Sequence, residues 1–343
     1  MKTKITTDWH IGVKRSAGTT PFSQIALGRY LREALKAQLG NEDHLIAGDL
    51  LDSFTVDTGE LMATYHIFAD WLRYSGKQLA LVRGNHDYHE SGSKVSSFDL
   101  LSSILKTQFP DQVTVATDVT EWKQFVLVPH LANNEILDIA IEALSRVENK
   151  VVVFHANVDN KFTAESQHSL NLSREQVAAL VAGNNLVICG HEHQNRKLLD
   201  GRVLILGNGA PSSISDCLGN DYKYSAMVEG TNYTLTKIWD ASAEFTEVNW
   251  QDIPATDLET FQFIRVTGDC TADQAALMVN AIAKLRQSSS AYVISNAVKV
   301  EGVAQMEGLA EMSLSEMSKF DVLGALLEEM TEREQNTIKG LLQ

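Results

Sequence analysis

Five stretches of this chain close an apolar run with side chains able to hold metal ions. They are Asp8 with His10, Asp49 with Asp52, Asn85 with His86 and Asp87, His155, and His191 with His193. The set mixes carboxylates, imidazoles and one amide oxygen, without a thiolate. That mixture suits borderline-to-hard divalent cations such as manganese, iron or zinc, rather than a cysteine-rich structural zinc. The ligands are too many for one tetrahedral ion. Two ions bridged by a shared carboxylate, about 3.5–4 Å apart, accommodate them. Two cations so placed activate a water and offset charge on phosphoryl oxygens. An imidazole of near-neutral pKa can protonate the departing oxygen. Taken singly, His10 is an ordinary core or capping histidine, and Asp49 to Asp52 an ordinary turn or helix start. Five such stretches together have no such ordinary explanation.

Each stretch needs a strand to carry it. Apolar runs at 2–7, 44–47, 78–82, 151–154 and 186–189 read as those strands. Asp8 and His10 are two apart, so from an extended segment both can point the same way, and the same holds for His191 and His193. Gly84 is expected to let the chain turn sharply before Asn85, where a side chain would clash. Ligands at several strand ends can meet at one edge of a sheet. Helical spacing occupies 21–39, 60–74, 96–106 and 133–147, and Ser173 with Gln176 forms a capping box for another helix. Strands alone follow, at 203–206, 225–229 and 233–239. This alternation predicts layered α/β architecture around mixed sheets. An acidic, irregular stretch at 241–260 marks a boundary. Beyond it, a strand at 261–267, a helix opened by Thr271 and a strand at 292–300 make a small β-α-β module. The final stretch, about 315–342, is helical and acidic. The expected division is 1–245, 258–305 and 313–343.

Composition sets outer limits. The chain has 343 residues, 44% of them hydrophobic, enough to bury a sizeable core. A net charge of −15 argues against gripping nucleic acid by charge alone, although metal ions and a partner subunit can supply positive charge. No apolar run approaches the roughly 18 residues of a membrane span, and the first residues lack the apolar core of a signal peptide. Cys189, Cys217 and Cys270 are scattered and odd in number. They read as core thiols in a reducing, cytoplasmic compartment. Asp87 is expected to serve the turn rather than a metal. His89 is a candidate substrate contact, while His44, His66, His130 and His168 are assigned to structure or surface.

The ordered set DxH, GDxxD, GNHD, a lone His after a strand, and GHxH resembles the calcineurin-like metallophosphoesterases over about residues 1–240. The resemblance implies a layered fold of mixed β-sheets sandwiched by helices, with a small C-terminal α+β capping module and terminal helices. It implies a first ion on Asp8, His10 and His193, a second on Asn85, His155 and His191, and Asp49 bridging them. His86 would contact the phosphate and act as the acid, with Asp52 orienting its ring. Asp8-Trp9-His10-Ile11-Gly12 and Gly48-Asp49-Leu50-Leu51-Asp52 are similar to the D-x-H-L-G and G-D-L-F-D of SbcD-type DNA nucleases, including phage recombination-endonuclease relatives. That likeness implies a manganese-dependent 3′-to-5′ exonuclease on duplex DNA and single-strand endonuclease in a bacterial or phage-infected cytoplasm. It also implies a homodimer whose terminal helices dock on an SbcC-like SMC-type ATPase. Phe320, Leu323, Leu326, Leu327 and Met330 supply an apolar stripe for such docking. The competing expectation is a free-standing phosphoesterase acting on nucleotides or phosphoproteins.

Overall fold

The computed structural model describes residues 2–13, 21–88, 94–160, 169–211, 216, 222–240, 244–258, 262–288 and 292–300. Its strands and helices are numbered in chain order. In the first sheet, β1 (Thr3–Thr6), β2 (Asp43–Ile46), β3 (Leu79–Val82) and β4 (Val113–Ala116) run parallel. A hairpin of β13 (Tyr222–Glu229) and β14 (Asn232–Asp240) joins antiparallel beside β1, giving the order β14-β13-β1-β2-β3-β4. The second sheet has β6 (Phe125–Val128), β7 (Val151–His155), β10 (Leu186–Gly190) and β12 (Val203–Ile205) in parallel. Its antiparallel edges are β5 (Thr120–Trp122) and β11 (Arg196–Leu198), in the order β11-β12-β10-β7-β6-β5.

Side-chain alternation explains why the sheets stack and why helices cover both outer faces. Along β3, Ala80 and Val82 join the core between the sheets, while Leu79 and Leu81 face the helices. Those helices are α1 (Pro21–Gln38), α2 (Thr58–Ser75) and α3 (Ser97–Gln108), which contribute Leu31, Phe68 and Leu101 to the same core. Along β7, Val151 and Val153 face the first sheet. Val152 and Phe154 pack with Leu137 and Ile141 of α4 (Asn134–Leu144) and Val177 of α5 (Arg174–Ala182). The result is a four-layered metallophosphoesterase-type sandwich of mixed sheets between helices, as the sequence implied. The capping box of Ser173 and Gln176 is present at the start of α5. A short pair, β8 (Asn157–Val158) with β9 (Asn171–Leu172), follows β7.

The C-terminal module differs from expectation at its start. The stretch 241–260 is not wholly irregular, because it contains β15 (Phe245–Asn249), paired in parallel with β16 (Phe263–Thr267). Phe245 and Val248, three apart, face opposite sides of β15: Phe245 joins the core of the first helical layer and Val248 the core of the module, so no simple alternation marks the strand among its acidic neighbours. The sheet continues into β18 (Tyr292–Asn296) through α6 (Ala275–Ser288). The expected strand at 292–300 is interrupted. Its second part, β19 (Lys299–Val300), pairs with β17 (Asp269–Cys270) instead. Phe245 and Phe263 stack at 4.9 Å, and both rings sit edge-on to Tyr30 of α1, at 5.5 and 5.2 Å. This aromatic contact seats the module on the first helical layer. Cys189 and Cys270 are buried and free. The expected terminal segment at 313–343, with His89, His168 and Cys217, lies outside the described residues. No helix among the described residues is long and apolar enough to cross a membrane.

His44, fully buried on β2, engages Thr6 Oγ1 through Nε2 at 2.8 Å. Burial, reinforced by Lys4, pushes its pKa down to about 3. The unfolded chain therefore takes up this proton first as pH falls. Stability from this residue is intact above about pH 6.5 and declines by at most about 1.4 kcal/mol per pH unit toward pH 3. Chemical unfolding in chelator across that range should show a shallower pH dependence for His44→Gln than for the native chain. Parallel curves would refute the assignment.

Candidate metal centre

The five motif stretches leave β1, β2, β3, β7 and β10 at their C-terminal ends and meet on one edge of the sandwich. The loops after β1 and β2 are tied together by backbone bonds: Asp8 N–H to Gly48 O, His10 N–H to Asp49 O, Ile11 N–H to Leu50 O, and Asp52 N–H to Ile11 O. Within this zipper Asp8, His10 and Asp49 hold φ of 53°, 46° and 46°, and His191 holds 86°. These are left-handed values that non-glycine residues avoid. The expectation of an extended Asp8–His10 segment is therefore corrected. The two side chains share a side because the chain coils at the strand end, where the paired loop supplies its hydrogen bonds. Such strain persists only where surrounding contacts over-determine it.

Gly84 sits where a side chain would clash, as expected. A Cβ there would lie 2.0 Å from Asp49 Oδ1 and 2.3 Å from its backbone nitrogen. The glycine is needed for close approach, not for a positive φ. Gly48, with φ of 102°, does need conformational freedom, and a Cβ on it would strike the His155 ring at 2.0 Å.

Three clusters of potential ligand atoms result: Asp8, His10 and His193; His10, Asp49 and His86; and Asp49, His155 and His191. The first has the residues expected for one ion; the third joins His155 and His191, expected for the other, with Asp49, which also meets His10 in the second. Asn85 joins the third, its Oδ1 3.0 Å from His155 Nε2. His155 Nε2 lies 3.2 Å from Asp49 Oδ2. Asp8, His10, Asp49 and His155 are buried, whereas the His86 side chain is 41% exposed at the mouth.

Three of the four imidazoles in the two ion sites have their other ring nitrogen hydrogen-bonded from behind, and the fourth, His10, has a carboxylate near its own. His155 Nδ1–H donates to Ala47 O at 2.9 Å. His191 Nε2 meets Ser169 Oγ at 2.9 Å. His193 Nδ1 meets Asp216 Oδ1 at 2.9 Å. His10 Nδ1 lies 3.3 Å from Asp52 Oδ1. This is how proteins orient histidine ligands of metals. The front nitrogens of His10 and His193 face each other at 3.0 Å, a spacing that one proton or one cation must mediate.

The charges agree with a cation site. The described ion pairs of Asp8 and Asp49 are all with histidine. Burial opposes charge on His155, but the Asp49 carboxylate outweighs it and lifts the imidazole to about 9. Burial likewise resists ionisation of Asp49, yet His155, His86 and His10 hold its carboxyl well below the ordinary range. His191 is pushed down to about 3, by burial first and by the neighbouring His155 second. Asp87 is pushed up to about 7 by burial and the charge of Asp49. Carboxylates that draw protons onto buried imidazoles are a pocket in which divalent cations can replace those protons. The donor set of oxygen and nitrogen fits two such ions.

Asp52 divides the role expected of it. His86 Nδ1–H donates to the backbone carbonyl of Asp52 at 2.5 Å, while the Asp52 carboxylate supports His10. The i, i+3 spacing places both carbonyl and carboxylate at the site, and only the folded loop decides which meets which ring. Asp87 serves the turn, accepting from Gly84 N–H at 2.9 Å and Leu51 N–H at 3.2 Å. Sequence reasoning missed Glu192 and Arg196. Glu192 accepts from Val158 N–H and pairs with Arg196 through two nitrogens, tying the His191–His193 loop to β8 just past His155. Their i, i+4 spacing was the available signal. It also missed Asp216, Lys223 and Ser169, which no motif marks.

Residues 1–195, more than half of the chain, match the calcineurin-like phosphoesterases. The chain belongs to that family, whose members are dimetal hydrolases. No curated protein matches it. A solved dimetal phosphatase from Danio rerio is 10% identical, with 69% of this chain and 95% of that one covered, at a TM-score of 0.36. So loose a likeness carries no argument.

Two divalent ions held by Asp8, His10 and His193 and by Asn85, His155 and His191, with Asp49 near both, would supply Lewis acidity toward water and phosphoryl oxygens. The chain's own contribution is positional. Asp49 lies among the ligand atoms of His155 and His191 and also near those of His10 and His86, where it could serve both ions. His86, its tautomer set by the Asp52 carbonyl, carries Nε2 4.0 Å from Asp49 Oδ2 on a side chain that is 41% exposed, where it could donate a proton to a leaving oxygen. Burial resists the charge on His86, but the Asp49 carboxylate and the Asp52 carbonyl raise its pKa. Asp49→Ala should therefore lose metal stoichiometry together with activity. His86→Ala should keep both metals and lose roughly 10²–10⁴-fold in rate. Elemental analysis beside hydrolysis of a chromogenic phosphodiester separates the two, and metal loss in His86→Ala would exchange the roles.

Proposed function

We propose that this chain is a DNA nuclease of the SbcD type, hydrolysing phosphodiesters with two manganese ions. The observation that carries the reading is the α+β module of residues 245–300. It is seated through Tyr30 on α1, the first helix after Asp8 and His10. A module packed on the helical layer of a metallophosphoesterase sandwich suits a long substrate more than a small one, and supports the capping domain that the sequence resemblance implies. The exposed His86 at the mouth suits a phosphate within a polymer. The net charge of −15 leaves DNA attraction to the ions and to partners. In this reading the chain pairs as a homodimer and docks the stripe from Phe320 to Met330 on an SbcC-like ATPase.

Labelled linear duplex, single-stranded circles and a chromogenic phosphomonoester separate the readings. Manganese-dependent cleavage of both DNAs, abolished by chelator, is expected. Deleting residues after Lys319 should leave a small phosphodiester's hydrolysis nearly unchanged and abolish co-purification with the ATPase. Leu323→Glu with Leu327→Glu should do the same, because the introduced charges would be desolvated at the contact. Turnover of the monoester or of nucleotides, with DNA left intact, would assign the chain instead as a free-standing phosphoesterase.

A further inference from the structure

His193 differs from the other ligand histidines in where its support comes from. The carbonyl behind His155 belongs to Ala47, and the hydroxyl behind His191 to Ser169, both inside the family-matched stretch. The carboxylate behind His193 belongs to Asp216, beyond residue 195, on the connection between β12 and β13. Asp216 is buried. Lys223 of β13 is also buried, an unusual place for an ammonium group. Its Nζ donates to the backbone carbonyl of Asp216 at 2.7 Å and lies 3.5 Å from that of His193. One ammonium thus reaches the main chain of both partners.

We propose that Asp216 is a positioning residue of the metal centre. By accepting Nδ1–H of His193, it keeps Nε2 unprotonated and aimed at the ion shared with Asp8 and His10. Lys223 holds the Asp216 backbone where that bond can form. A carboxylate accepts only, so it selects one tautomer; an amide of the same shape can also donate and selects neither. The inference rests on the two-metal reading, and the experiment separates their failures.

Manganese binding is titrated calorimetrically in the native chain, Asp216→Ala and Asp216→Asn, with thermal unfolding in chelator and imidazole ¹H–¹⁵N spectra of the metal-free proteins at alkaline pH. The native chain should bind two ions, with His193 protonated at Nδ1; fewer ions would count against the two-metal reading, while the His193 tautomer would still report on Asp216. Both variants should lose roughly 10–100-fold in affinity at one ion site and keep the other. In Asp216→Asn the Nδ1-protonated signal of His193 should give way to a tautomer mixture while the unfolding temperature stays native. Native metal affinity and an unchanged tautomer in Asp216→Asn would overturn the proposal. Marked destabilisation of Asp216→Asn in chelator would overturn it too, since Asp216 would then serve the architecture of the connection.

Discussion

A carboxylate cut off from water must be compensated on every side, and Asp49 imposes that requirement on this molecule. It is almost fully buried, and a buried charge without partners is very costly. Its Oδ1 accepts from the backbone N–H of His86, and its Oδ2 lies 3.2 Å from His155 Nε2. The first partner follows β3 in one sheet; the second ends β7 in the other. Compensating one anion therefore fixes the relative placement of both sheets at this edge, and explains why Gly84 and Gly48 must lack side chains where they do.

The sandwich provides the rigidity that this arrangement needs. Between the sheets, small and branched residues such as Ala47, Ala80, Val153 and Ile188 pack without polar groups up to the strand ends. Polarity begins abruptly there. The left-handed residues Asp8, His10, Asp49 and His191 sit at this border, where the chain must turn and present a ligand within one or two residues. Their strain is held by hydrogen bonds between neighbouring loops, such as Asp8 N–H to Gly48 O and His10 N–H to Asp49 O.

Behind the ligands lies a second set of contacts: Ala47, Ser169, Asp216 and Asp52 behind the imidazoles, and Glu192 with Arg196 behind their loop. Three of these supports are single acceptor atoms meeting a ring nitrogen at 2.9 Å, and such an atom can come from a carbonyl, a hydroxyl or a carboxylate alike. For that reason they leave little trace in sequence.

The candidate residues, their order and the strands that carry them to one edge were legible in the sequence, because metal chemistry restricts residue type and a strand end restricts spacing. The layered class followed from apolar periodicity, since a strand buried on both faces can hardly be written otherwise. Tertiary structure alone decided how those ligands are oriented. Asp8 and His10 share a side through left-handed turns rather than strand alternation, and Gly84 serves an approach to a residue 35 positions earlier. Asp52 meets His86 through its carbonyl and His10 through its carboxylate. Phe245–Asn249 became a strand because β16 lay beside it, despite acidic neighbours that suggested a linker. In each case the deciding partner is distant in sequence, and a contact between distant segments is specified by packing and hydrogen-bond geometry rather than by residue type or spacing.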